Sequence, residues 1–230
     1  MGTFVTIEGG DGSGKHTQTV LLSAYAKDVL HKNVQTIAFP RHGEFSAYYA
    51  DQYLNGVYGG VNDVHADLAS LPYAFDRFAA SEEIRAGIAR EDGFVIADRY
   101  VASNLAHQGS KFTHKKERLA YYERMMKTEY KVLNIPVPNI NIILLVPSAI
   151  SQENIDKKET RAYTTKKRDI HEEDATHLDK TKNNYEELVT LYPDTFRSIN
   201  CMDKNGKMRS IAAIQSDIQA LVEVGINKLV

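Results

Sequence analysis

The chain has 230 residues, with 28 basic and 30 acidic side chains giving a formal charge of −2, so no overall cationic field draws it onto nucleic acid. That length suits one large α/β domain, 1–230, able to bury its core without disulfides, and the single cysteine, Cys201, fits a reduced compartment. The longest apolar run, Ile142 to Val146, is far too short for a bilayer, and no basic flank or long apolar run opens the chain, so a cytoplasmic protein without a membrane partner is expected.

The first predicted strand runs from Thr3 into a glycine-rich turn, Gly9-Gly10-Asp11-Gly12-Ser13-Gly14-Lys15, followed by a helical pattern. Four glycines in six residues could make a plain surface turn. The order strand, glycines, lysine, helix instead matches a phosphate-binding loop. Backbone N–H groups and the helix N-terminus would cradle phosphate, and Lys15 would reach the outer phosphates of a nucleoside triphosphate. The pattern G-x-x-x-x-G-K-[ST] fails at its last position, where His16 stands before Thr17. Imidazole is a poor ligand for a hard oxygen-seeking ion. Mg²⁺ is therefore expected on triphosphate oxygens, water and a carboxylate elsewhere, with His16 facing outward.

Residues 18–32 predict an amphipathic helix capped by a left-handed Asn33, and 34–39 a second strand stopped by Pro40. Arg41 is left at that strand's carboxyl end, the edge where open α/β sheets bind ligands. A helix over 46–54 precedes a glycine-broken loop. Asp67 to Arg90 then reads as one long helical segment on which Tyr73 and Arg77, four apart, share a face.

Gly93 to Asp98 predicts a third, buried strand delivering Asp98, Arg99 and Tyr100 to the same edge, where Asp98 has the position of a metal-linked carboxylate. Ser103, Asn104, His107, Gln108 and Gly109 follow, dense in hydrogen-bonding groups that suit either a base edge or an ordinary turn network. Residues 115–133 predict a helix with Leu119, Tyr122, Met126 and Leu133 on one stripe. A fourth strand spans 140–146, and a fifth is expected near Thr195 to Cys201. Helices on both sides of these strands in sequence argue for a parallel sheet.

Between Asp156 and Arg168 stand six cations: Lys157, Lys158, Arg161, Lys166, Lys167 and Arg168. A charge run is usually a solvated face, but beside a phosphate-binding loop it can close as a lid over about 150–170. Arginine there would spread its charge over transferring phosphoryl oxygens, which favours Arg161 and Arg168.

Taken together, Glu8 to Lys15, Phe39-Pro40-Arg41, Phe75-Asp76-Arg77, the block from Asp98 to Gly109 and Pro136-Val137-Pro138 resemble the thymidylate kinases, over about residues 3–200. The resemblance implies a P-loop NTPase fold with a five-stranded parallel sheet, flanking helices and a short basic lid. It also implies transfer of the ATP γ-phosphoryl to dTMP, giving dTDP for DNA precursor synthesis, with Mg²⁺ as cofactor. It implies ATP contacts from Gly9 to Thr17 and from Arg168. The dTMP site would comprise Asp11, Pro40, Arg41, Tyr73, Arg77, Arg99, Ser103, Asn104, His107 and Gln108. Within it, Arg41 and Arg77 would hold the monophosphate, Tyr73 would stack the base and Asn104 would read its edge. Lys15, Asp98, Arg99 and Arg161 would be catalytic, and Asp11 and Asp98 would serve the metal, partly through water. A homodimer through helices near 45–60 and 115–130 is implied as well. His107 stands where many bacterial members carry a tyrosine near the sugar's 2′ position, so strict deoxyribose preference is not implied; a kinase acting on dUMP, UMP or CMP is the nearest rival, decided at Asn104 and His107. A silent ATP-binding regulator is the rival motivated by His16.

Overall fold

The computed structural model describes residues 2–156 and 175–227. Among them, five strands form one parallel sheet in the order β2-β3-β1-β4-β5. These are β1 (Thr3–Gly9), β2 (Asn33–Ala38), β3 (Gly93–Asp98), β4 (Ile140–Leu145) and β5 (Phe196–Asn200).

Alternation along the strands supplies two cores, one on each face. Phe4, Val95, Ala97 and Ile143 point one way, while Val5, Ile7, Phe94, Ile96, Ile142 and Leu144 point the other. The second face is covered by α1 (Lys15–Asp28) and α9 (Ile211–Asn227), through Leu22, Ala26, Ile214, Ile218 and Val222. The first carries α4 (Ser81–Ala89), α5 (Val101–Gly109), α6 (Lys115–Lys127) and α8 (Ala175–Leu191), through Ile84, Leu105, Tyr121, Tyr122, Tyr185 and Leu188. Both faces of the sheet are thus buried, the arrangement in which strands read as continuous apolar runs.

Several local expectations change. The left-handed residue after α1 is His31 (φ 53°), and Asn33 already donates its N–H to Asp92 as β2 begins. The segment 67–90 is two helices, α3 (Ala66–Ala79) and α4, because Ala80 has ψ near −5° and breaks the ladder. The break lets Arg77 and Ile84 both point inward. Residues 101–109 form a helix that periodicity could not reveal, since all nine are buried. α7 (Ser148–Asp156) was likewise not anticipated, and the proposed lid from residue 157 to its end near 170 lies outside the described residues.

Register gathers the loops that matter. Asp98 pairs with Ile7 on one side and Ala38 on the other. The carboxyl ends of β1, β3 and β2 therefore open side by side onto one crevice, as open α/β sheets favour.

Candidate active site

The glycine-rich turn after β1 runs through left-handed backbone. Gly12 (φ 76°) and Gly14 (φ 89°) occupy backbone space that other residues rarely adopt, and Gly14 caps α1. A Cβ on Gly12 would come within 2.3 Å of the Ser151 carbonyl, and Asn154 Nδ2 donates to the Gly12 carbonyl at 2.9 Å. So α7, which leads into the basic segment, sits directly on the loop. Lys15 is buried and donates to the Gly10 carbonyl at 2.7 Å.

Arg99 crosses from β3 to this loop. Its left-handed backbone (φ 70°) is a strained choice for a side chain, of the kind that gathers at functional sites. Its N–H donates to Ile7, and Nη1 lies 3.3 Å from the Gly9 carbonyl, 3.3 Å from Ser103 Oγ and 3.4 Å from His107 Nε2. Nη2 pairs with the Asp11 carboxylate. Burial works against the Arg99 charge, but Asp11 and neighbouring groups outweigh it and raise its pKa.

Because arginine only donates, Nε2 of His107 must accept, which leaves the ring proton on Nδ1. That proton points at His177 Nε2, 3.2 Å away, and Ser110 Oγ lies 2.9 Å from His177 Nδ1. Ser110 in turn donates to the His107 carbonyl at 2.7 Å. Burial, then the Arg99 charge, holds His107 well below the usual histidine range and so neutral.

Beneath the loop, Glu8 is fully buried and accepts from Ala102 N–H at 3.1 Å and Ser103 Oγ at 2.6 Å. Its pKa is raised by burial. This carboxylate ties β1 to the start of α5, where negative charge meets the helix's positive end.

One cavity of about 470 Å³ unites these parts. Asp11, Gly12, Gly14, Lys15, His16 and Thr17 line one side, and Pro40, Tyr73, Arg77, Asp98, Arg99, Ser103, Asn104, His107 and Gln108 the rest. Phe39, His42 and Leu54 also line it and were not anticipated. Gly9, Gly10 and Ser13 belong to the loop behind the lining. Arg161 and Arg168 lie outside the described residues.

Two expected phosphate anchors each have a carboxylate partner. Arg41 does not line the cavity; Nε is 2.9 Å from Asp76 Oδ1, and Nη2 is 2.8 Å from Ser46 Oγ. Arg77 lines it, but its guanidinium is clasped by Glu129, with Nε 2.5 Å from Oε2 and Nη2 2.7 Å from Oε1. Burial opposes that charge, and Glu129 more than restores it. Asn104 Nδ2 reaches the same Oε1 at 3.1 Å, so Arg77 belongs with Asn104 and away from the phosphate loop.

The protein ligand set suits Mg²⁺ carried in by phosphates. Such an ion takes one or two carboxylates and keeps waters. Asp98 and Thr17 share the cavity beside the loop, whereas Asp11 is committed to Arg99. No group of three or more His, Cys, Asp or Glu is gathered for a metal among the described residues. The His16 side chain is 86% exposed, with Nδ1 4.0 Å from Asp98.

The model of the thymidylate kinase family matches residues 7–210. The chain belongs to the thymidylate kinase family. It is 32% identical to the thymidylate kinase of Mycobacterium tuberculosis over 187 residues, covering 81% of this chain and 85% of that one. To the Bifidobacterium longum enzyme it is 28% identical over 222 residues, covering 96% and 98%. The fold is also that of a solved Candida albicans thymidylate kinase, with a TM-score of 0.72 at 20% identity over 98% of this chain and 93% of the other. Glu129 stands out among the residues that sequence reasoning passed over in this family member. It lies between Met126 and Leu133 on the apolar stripe of its helix, and an acid on a buried stripe is the signal that could have found it.

Proposed function

We propose that this member of the thymidylate kinase family transfers the γ-phosphoryl of ATP to the 5′-phosphate of dTMP, giving dTDP. The observation that carries the reading is the single cavity with Lys15 at the phosphate loop and the Tyr73, Arg77 and Asn104 group within the same walls. ATP phosphates would lie on the backbone from Gly9 to Thr17, and the base of dTMP between Tyr73 and Asn104. Arg99, reaching from the loop to Ser103 and His107, would bridge donor and acceptor phosphates.

Phosphoryl transfer asks the protein for alignment and charge neutralisation rather than covalent work. The Lys15 ammonium would leave Gly10 for the β- and γ-phosphate oxygens. Arg99 would hold the acceptor oxygen in line with them. Asp98 beside Thr17 would receive Mg²⁺, which when bound neutralises phosphate charge. Arg161 and Arg168 would add lid cations; support comes from α7, whose Ser151 and Asn154 meet the Gly12 backbone just ahead of the basic segment in sequence.

We assign Arg77 to the base end rather than to the monophosphate, because its partner Glu129 is shared with Asn104. A homodimer is the assembly we favour. Its support is the exposed row Leu68, Leu71, Phe75 and Phe78 along α3, whereas Tyr121, Tyr122 and Met125 of α6 are already buried. No helix among the described residues is long and apolar enough to cross a membrane. The buried thiol of Cys201, whose pKa burial pushes up to about 11, is in keeping with a cytoplasmic protein. The net charge of −2 favours small nucleotides over nucleic acid as partners.

The test is ADP release with ATP and Mg²⁺ against a panel of dTMP, dUMP, UMP and dCMP. The reading expects dTMP to give the highest kcat/KM; ATP binding with no ADP release under any acceptor would overturn it.

A further inference from the structure

Glu129 touches no part of the cavity, yet it dictates what two lining residues offer there. It sits in a π-helical turn, Thr128–Val132, that continues α6, and its side chain is fully buried. Such turns frequently accompany functional positions. Oε1 faces Arg77 Nη2 at 2.7 Å and Asn104 Nδ2 at 3.1 Å, and Oε2 faces Arg77 Nε at 2.5 Å.

The consequence for Asn104 follows from proton counting. An amide has one accepting side and one side with two N–H groups. Here the second side meets two acceptors, Glu129 Oε1 at 3.1 Å and the Ser70 carbonyl at 3.2 Å. Reversing the amide would set oxygen against oxygen at both, so the NH₂ must face them. Oδ1, itself buried and without a hydrogen-bond partner among the described residues, is left as the recognition atom of a side chain that lines the cavity. Arg77, spent on Glu129 through Nε and Nη2 and donating from Nη1 to the Tyr100 carbonyl at 3.4 Å, can offer only its remaining N–H groups.

We infer that Glu129 is the specificity-determining residue for a keto pyrimidine over an amino pyrimidine, acting through Asn104 and Arg77 without meeting the substrate. The inference deepens the dTMP reading and rests on it. An acceptor beside a donor complements the N3–H and O4 of thymine or uracil. Cytosine presents the reverse, an accepting N3 and a donating N4 amine, so both contacts turn repulsive.

The experiment measures kcat and KM for dTMP, dUMP and dCMP in the wild type, Glu129→Gln and Glu129→Asp. In Glu129→Gln the NH₂ that replaces one carboxylate oxygen meets an Arg77 N–H in either orientation, so the clasp on Arg77 loosens and the charged acceptor that helps the Ser70 carbonyl orient Asn104 is lost. The wild type should prefer dTMP and dUMP over dCMP by about 10²-fold in kcat/KM. Glu129→Gln should shrink that preference at least about tenfold, chiefly through a higher KM for the keto substrates, with KM for ATP unchanged. Glu129→Asp, which keeps the carboxylate, should retain most of it. A wild type that accepts dCMP as well as dTMP, or a Glu129→Gln enzyme with the same ratio, overturns the inference while leaving the kinase reading intact. A wild type that does not turn over dTMP at all removes the kinase reading and this inference with it. Should Glu129→Gln fail to fold, hydrogen exchange of the Asn104 side-chain amide in the wild type decides the matter. Protection with and without dTMP is the expected result, and exchange at the rate of a free amide is the overturning one.

Discussion

Asp76 holds Arg41 at two points, accepting from its backbone N–H at 2.7 Å and from its Nε at 2.9 Å. Ser46 Oγ donates to the same carboxylate at 2.6 Å, and Asp76 is fully buried. The residue pair in Phe39-Pro40-Arg41 and Phe75-Asp76-Arg77 that looks like free phosphate chemistry in sequence is thus partly a clamp between the β2 loop and α3. Asp76→Ala removes the buried partner of a charge, which typically costs about 3–5 kcal/mol. Urea unfolding should show a loss of that order, together with a raised KM for the acceptor; a change below about 0.5 kcal/mol would mean the clamp carries little.

His107 should leave a signature in the pH dependence of stability. Its folded pKa lies well below the ordinary 6.5, so below that pH the unfolded chain binds a proton that the folded protein refuses. Stability from this group is complete above about pH 6.5 and declines as pH falls toward the folded value, by up to about 1.4 kcal/mol per pH unit. Glu8, with a raised pKa, works in the opposite sense, so the readout is a difference between proteins. Unfolding free energies of wild type and His107→Gln from pH 7.5 to 5 should converge as the pH drops; parallel curves would contradict the assignment of a neutral buried imidazole.

The metal assignment separates two neighbours. His16 is mostly exposed, so His16→Thr should change stability by no more than about 0.5 kcal/mol and should not lower turnover. Asp98→Asn removes the cavity's carboxylate beside Thr17 and should cost at least tenfold in kcat while raising the Mg²⁺ concentration for half-maximal rate. Titrating Mg²⁺ in both variants checks this, and a large loss in His16→Thr would instead assign the imidazole a direct role.

These residues show what a sequence reveals and where it stops. The central strands β1, β3 and β4 were legible because they are buried on both sides and read as largely apolar runs, as in Phe94-Val95-Ile96-Ala97. The phosphate loop was legible because its geometry demands glycine at fixed positions. α5 was not, since a helix buried all round, from Val101 to Gly109, shows no polar face. Nor were the partners of Arg41 and Arg77. Arg77 and Glu129 are 52 residues apart, and Arg41 and Asp76 are 35 apart, separations that only the fold closes. Cationic side chains were readable as cations, but whether a carboxylate had already engaged them was not.

The central claim is that Lys15 and the Arg77–Asn104 group serve one reaction inside one cavity. Steady-state turnover with saturating ATP, Mg²⁺ and dTMP, compared between wild type and Lys15→Ala, tests it most directly. The account predicts dTMP-dependent ADP formation in the wild type and a loss of about 10²-fold or more in kcat on removing the ammonium, with dTMP still bound. Equal turnover in the two proteins would contradict it.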